Sequence, residues 1–473
     1  MTRQQHPIES GVSLPLSQIA ISTIDLRRSD AFWREGLGFL PSATSRMFRG
    51  PTMSNLMQVE DAKTTTRWLV GQDEWLQIEI WQFENPVPRL QSQEQAPHHI
   101  GYSRCGVWVR HFEVTIERLE AMGYAPLTAA HGQGGSRRVC FRDPDGIYVE
   151  VFEQDPLSAE IPPPPYDCDV ALRSITLSTP DFESSCQFME NGLGLTSAGF
   201  ELHEDEHEGL WLLDEASCKR KTYVSAKMLL EVVQYVDPVP VPRHPHSRLI
   251  DQGILNIAFG SDKSVVPIRQ LEDRAISHGA APTERMITPL GGCVYVTDPQ
   301  GFSYEFTWAS PFLGQRVAGY FPRKSPRFFT ADNVSIECDT LISATAESVW
   351  PYIVNPELMN EWSAIGSVIG LRDGERDEFG VGAERKLIRG RHEMVEQIVA
   401  SSPCRELRYR LIRRGPFANL SGELHLEEEA GRTRLTWLVR FRSKWPFCGW
   451  LLRLSMQRHY EKSLERLKQI FDT

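Results

Sequence analysis

The chain has 473 residues, 51 basic and 62 acidic, with a net charge of −11; at roughly 150 residues per domain the length suggests about three domains. Hydrophobic residues at 41% and charged residues at 24% exclude a wholly disordered or fibrous chain. No apolar run approaches the ~18–20 residues that span a bilayer, the start of the chain has no apolar signal core, and the nine cysteines form no CxxC pair. These features predict a cytoplasmic protein with no membrane partner. The acidic excess lies in residues 1–332, which argues against a nucleic-acid partner.

In chain order, Gln18–Ile24 alternates like a strand, and Asp25 caps a helix that ends near Gly36–Gly38. Leu76–Trp81 reads as an apolar strand carrying Glu79. A second half-unit follows: a strand over Arg104–Val109, a helix over His111–Met122 closed by Gly123, and a last strand Tyr148–Phe152 carrying Glu150. Asp143-Pro-Asp-Gly146 before that strand suits a type I turn. The whole pattern then recurs. Asp181 to Gly194 repeats Asp25 to Gly38, Asp298-Pro-Gln-Gly301 repeats the turn, and Glu305 repeats Glu150. Two units of roughly 155 residues therefore sit in tandem, joined by the stiff spacer Ile161-Pro-Pro-Pro-Pro-Tyr166.

After Pro322–Arg327 the pattern changes. A strand over Val334–Ile342 leads to a helix with Thr345 as N-cap, then to Asn355-Pro-Glu-Leu-Met-Asn-Glu-Trp362 and a Gly pair at Gly380 and Gly382. Alternating strands follow over 383–388, 392–399, 406–412, 420–426 and 434–441. A long helix over 449–471 places Tyr460, Leu464, Leu467 and Phe471 on one face.

The tandem β-α-β-β-β units resemble the vicinal oxygen chelate superfamily of glyoxalases, extradiol dioxygenases and bleomycin-resistance proteins, over residues 14–155 and 168–310. The last third resembles the START/polyketide-cyclase/birch-allergen superfamily over residues 330–473. The resemblance implies an α+β architecture: two open barrels, each made from two neighbouring half-units, followed by a curved antiparallel sheet gripping a long helix around a cavity.

By resemblance, the chelate positions fall on the first strand and on a Glu of the last strand of each half-unit. They are Gln18, Glu79, Arg104 and Glu150 in the first barrel, and Ser174, Glu231, Asn256 and Glu305 in the second. No His occupies any of the eight. Arg104 cannot ligate a cation and is expected to pair with Glu79 or Glu150 in the ion's place, so the first barrel is read as metal-free. The second set is all oxygen. If it binds an ion, that ion is hard, Mg²⁺, Mn²⁺ or Ca²⁺; the favoured reading has no cofactor. A desolvated Glu without a cation has its pKa raised toward a useful base, which makes Glu305 and Glu231 the candidate catalytic residues. His99 is an alternative to Arg104. His203 and His207, in His-Glu-Asp-Glu-His-Glu, read as an exposed acidic loop, and His244 and His246 as a Pro-rich loop. In the last third, Trp362 is expected at a cavity mouth and Tyr409 at core or cavity wall.

The expected partner is a small aromatic or lipophilic molecule. Three functions stand open: metal-independent cyclisation, isomerisation or proton abstraction; ligand sequestration; and metal-dependent lyase, epimerase or dioxygenase chemistry.

Overall fold

A computed structural model describes residues 14–157, 166–323, 334–413, 417–429, 431–444 and 448–472. Ile161 to Pro165 of the spacer and Lys324 to Arg327 lie outside the described residues. The chain forms two compact units, residues 1–329 and 330–473.

In the first unit, Leu16–Thr23 is a strand buried along its whole length, and Asp25 caps the following turn by accepting from the N–H groups of Arg27 and Arg28. The repeat reproduces this at Asp181, which accepts from Ser184 N–H. Both Asp-Pro-x-Gly turns close as the sequence predicts, with Gly146 N–H to Asp143 O and Gly301 N–H to Asp298 O, each 3.0 Å. Each fourth-position Gly has positive φ, which suits a residue without Cβ.

The strands pair across the repeats, not within them. One sheet of nine strands is centred on antiparallel Leu16–Thr23 and Gly253–Ser261. Gln77–Asn85 runs parallel to the first of these and Ser303–Ala309 parallel to the second. A second sheet of seven strands is centred on antiparallel Gly101–Val109 and Val170–Ser178, flanked by Tyr148–Phe152 and Met228–Asp237. The first half-unit thus joins the fourth, and the second joins the third. This corrects the expectation that neighbouring half-units close one barrel each. All four first strands offer the same kind of edge, and loop closure costs only ~0.6 kcal/mol more per doubling of length, so sequence distance does not select the partner.

Helices, by contrast, pack within a repeat. Arg118 Nε–H donates to Gly36 O at 2.6 Å, and its repeat counterpart Arg274 to Gly192 O at 3.0 Å. The helices and the backs of both sheets share one core. It includes Ile78, Ile80, Tyr304 and Phe306 from the first sheet and Val149 and Val232 from the second.

The second unit is a single antiparallel sheet of seven strands. Val334–Ile342 occupies one edge and Ser367–Arg372, a strand absent from the sequence reading, the other. The helix Gly449–Phe471 buries Met456, Tyr460, Ser463, Leu464 and Leu467.

Candidate functional site

Residues level with one another across a sheet share a face. In the first sheet Glu79 is level with Ala20 and Ala20 with Asn256; Gln18 is level with Ala258 and Ala258 with Glu305. Gln18, Glu79, Asn256 and Glu305 therefore converge on the face away from the core. In the second sheet the same rule brings Glu231, Thr176 and Arg104 together, with Ser174, Gly106 and Glu150 beside them. The eight predicted positions thus form two foursomes, but not the expected ones. Glu231 and Glu305 do not converge, and Arg104 is in neither cleft with Glu79.

The first cleft holds two carboxylates, and among the described residues no cationic side chain acts on either. Gln18 Nε2–H donates to Glu79 Oε2 at 2.7 Å and to Glu305 Oε2 at 3.2 Å. Gln77 Nε2–H fixes the Gln18 oxygen at 2.6 Å. Both carboxyls are buried, and burial pushes both up. Glu305 rises to about 7, and Glu79 well above its ordinary value because burial is reinforced by the Glu305 charge. Trp68 and Trp81 border Glu79, while Tyr295 is level with Glu305. Neither amide atom of the wholly buried Asn256 makes a hydrogen bond of good geometry, although the Tyr295 phenol lies beside it.

The second cleft is neutralised from inside. Arg104 Nη2–H donates to Glu231 at 2.8 Å and Nη1–H to the Tyr235 hydroxyl at 3.0 Å, and the guanidinium stacks 3.8 Å over the Trp211 ring. This corrects the expected partner of Arg104. Glu150 acts on it only at longer range. His203 bridges the two carboxylates, Nε2 to Glu150 at 2.7 Å and Nδ1 to Glu231 at 2.9 Å. Thr176 also donates to Glu231, at 3.0 Å. Burial works against charge on Glu231, but His203 and Arg104 outweigh it and hold the carboxyl well below its usual range. Burial likewise opposes charge on His203, and Glu231 and Glu150 outweigh it, raising the imidazole. Glu231 is therefore a poor base.

His203 is buried, which corrects its reading as an exposed loop residue. The following turn Asp205–Trp211 buries Leu210 and Trp211 and so carries His203 inward. That Leu-Trp pair after an acidic run is the sequence signal that could have placed it. His207 is half-buried with its Nδ1 accepting Glu204 N–H. His244 and His246 are exposed, and His99 pairs with Gln95 in a turn before the strand.

In the second unit, Trp362 is buried at the end of the helix Pro356–Trp362, its Nε1–H donating to Tyr352 O at 2.9 Å. It is a core residue, not a gate at a mouth. Tyr409 accepts from Trp437 Nε1–H at 3.1 Å. The rings of Trp362, Trp437 and Tyr460 follow edge to face at 5.8 and 4.5 Å. Beside them Arg385 and Glu396 form a buried ion pair at 3.0 Å.

Residues 17–141 match the glyoxalase/bleomycin resistance protein/dioxygenase superfamily, and residues 333–472 match the polyketide cyclase/dehydrase and lipid transport family. The chain joins a glyoxalase-superfamily domain to a polyketide-cyclase-type domain. Similar solved structures include glyoxalase I from Zea mays, at 14% identity over 62% of this chain and 92% of that one, with a TM-score of 0.43. XoxI from Bacillus cereus aligns at 16% identity over 29% of this chain and 96% of that one, with a TM-score of 0.25. No curated protein matches the chain. Among the described residues no helix is long and apolar enough to cross a membrane.

Of the two clefts, the first has the donors for a metal ion. Glu79, Glu305, the unpaired Asn256 oxygen and, with its amide turned over, the Gln18 oxygen are all hard donors suited to Mg²⁺, Mn²⁺ or Ca²⁺. The second cleft does not fit an ion, because Arg104 and His203 already supply the positive charge.

Proposed function

We propose that the glyoxalase-superfamily part is a small-molecule enzyme whose reactive centre is the first cleft, and that Glu305 moves a proton to or from a carbon beside a carbonyl group of an aromatic or lipophilic compound. The observation that carries this is the buried Glu79–Glu305 pair, joined by Gln18 with no internal cation. Two carboxylates so placed hold one proton between them near neutral pH. Glu305 is then poised as a base at the pH where it works best. The free N–H of Asn256 and the Tyr295 hydroxyl are the donors that would receive the oxygen charge of an enolate. Trp68 and Trp81 supply flat apolar walls. Ring closure, isomerisation and elimination all begin with such a proton transfer.

The test is deuterium uptake. A panel of aryl 1,3-dicarbonyl and polyketide-like compounds is incubated with the protein in D₂O and followed by proton NMR. The parent protein accelerates exchange of at least one member, and Glu305→Gln abolishes it while Glu231→Gln does not. A compound that binds and exchanges no faster than in buffer would place the protein among binders.

The unpaired Asn256 oxygen favours one second reading, a hard divalent cation held by Gln18, Glu79, Asn256 and Glu305. Such an ion would polarise the substrate carbonyl. Equilibrium dialysis with Mn²⁺ decides it: stoichiometric uptake lost in Glu79→Gln supports the cation, and no uptake supports the shared proton.

A further inference from the structure

The second unit has one charged and greasy end. Residues 440–460 hold five basic residues and no acidic one, within a chain of net charge −11. The strand Arg432–Ser443 ends there and the helix Gly449–Phe471 begins there. A Cβ on Gly449 would lie 3.1 Å from Val334 and 4.0 Å from Ser443, which seats the helix start on the ends of two strands.

Antiparallel pairing brings further positive charge to the same end. Arg389 and Arg391 flank the turn between Glu384–Arg389 and His392–Ser402, and Arg413 closes Glu406–Arg413. Lys444, Arg453 and Arg458 follow, and all six are exposed. Arg389 acts electrostatically on His459, so the turn and the helix are neighbours. The opposite end of the sheet carries Glu406 and the run Glu427-Glu428-Glu429, but there Arg408, Arg432 and Arg434 stand against the acidic residues.

Apolar side chains stand exposed amid this charge. Trp450 is 62% exposed, Leu451 51% and Leu454 49%. The core face of the helix runs through Met456, Tyr460, Leu464 and Leu467, and at 100° per residue Trp450, Leu451 and Leu454 lie on the other side. The first two turns are thus apolar on both sides, a pattern that calls for a cover on the outer one. Exposed Trp and Leu set among Arg and Lys, with no acidic residue nearby in sequence, is the composition of a helix that lies in a membrane interface.

We propose that this end of the polyketide-cyclase-type unit docks on an anionic lipid bilayer, with Trp450, Leu451 and Leu454 entering the interface and the surrounding Arg and Lys facing the headgroups. This departs from the sequence expectation of no membrane partner. Surface attachment needs no spanning helix.

The experiment is vesicle flotation of the full-length protein, with vesicles of phosphatidylcholine alone and with 30% phosphatidylglycerol. The proposal expects binding to the anionic vesicles, at least tenfold weaker in 0.5 M salt and at least tenfold weaker on neutral vesicles. Trp450→Ser with Leu454→Ser, and separately Arg453→Glu with Arg458→Glu, should each cut binding at least tenfold. All four residues are exposed, so the melting midpoint should hold, and the charge pair keeps the test valid should the apolar pair lower it. No flotation of the parent protein overturns the proposal, as does flotation that neither double variant weakens. A dimer in light scattering that Trp450→Ser with Leu454→Ser dissolves, without flotation, assigns the patch to a second copy instead.

Discussion

Glu79 and Glu305 meet over one nitrogen: Gln18 Nε2 lies 2.7 Å from the first carboxylate and 3.2 Å from the second. The two come from opposite repeats and are brought together only because the strand Leu16–Thr23 pairs with Gly253–Ser261. In the other cleft the corresponding carboxylates, Glu150 and Glu231, meet over His203 instead. A neutral amide in one cleft and a basic ring in the other give two related sites opposite electrostatics.

The carboxyl pair makes stability depend on pH. Glu79 and Glu305 have folded-state values raised above those of the unfolded chain. The folded state therefore binds more protons, and stability falls as pH rises from the ordinary Glu range toward 7 and above. Replacing Glu305 with Gln removes that loss. The variant should be more stable than the parent at pH 8, on the order of 2 kcal/mol, with the gap closing toward pH 4. Urea midpoints across this range check it.

His203 has the opposite chemistry and the same direction. Its folded value is raised, so its contribution is fully present below about pH 6.5 and is lost as pH rises through the folded value. His203→Gln leaves Glu150 and Glu231 less well compensated and should cost about 3–5 kcal/mol at pH 6, and less at pH 9. Chemical denaturation at the two pH values measures both costs.

The interior of the polyketide-cyclase-type unit rests on a buried charge pair. Among the described residues, Glu396→Ala leaves Arg385 buried with Ile353 O and Met359 Sδ as its remaining hydrogen-bond partners, and should cost about 3–5 kcal/mol. The double change Arg385→Met with Glu396→Leu should cost much less, because no charge is left behind. A double-mutant cycle on unfolding free energy reports the coupling directly.

Two glycines are held by their neighbours' rings. A Cβ on Gly422 would sit 2.1 Å from the Tyr409 ring, and one on Gly106 would sit 2.3 Å from Ser174 Oγ and 2.5 Å from the Phe152 ring. Gly422→Ala and Gly106→Ala should each lower stability by about 1–3 kcal/mol, seen as a drop in melting midpoint.

Much of this was legible in the sequence. Strand alternation placed Ile78, Ile80, Tyr304 and Phe306 on the core side and Glu79 and Glu305 on the other, and the long final helix was marked by its Tyr460–Leu464–Leu467 stripe. Which half-units pair was not legible, because strand edges carry no address and the four half-units share one pattern. The eight positions therefore cluster in two fours that differ from the two sets expected from the sequence. His203 was missed because a polar run reads as exposed, while the burial of Leu210 and Trp211 beyond it is a tertiary fact. Trp362 was placed at a mouth from its position at a helix end, whereas its partner Trp437 comes from a distant strand.

A titratable carboxyl pair in the first cleft should be told apart from a pair held in its charged form in the second. Carbon-13 NMR of protein labelled at the Glu side-chain carboxyl, titrated from pH 3 to pH 9, tests this distinction most directly. Signals assigned by their loss in Glu79→Gln and Glu305→Gln should titrate together, with a midpoint near or above 7 for the pair. Signals assigned through Glu150→Gln and Glu231→Gln should titrate below the ordinary Glu range, because both folded values are lowered. Titration of Glu79 and Glu305 in the ordinary range near 4.5, or of Glu231 near neutrality, would contradict the account.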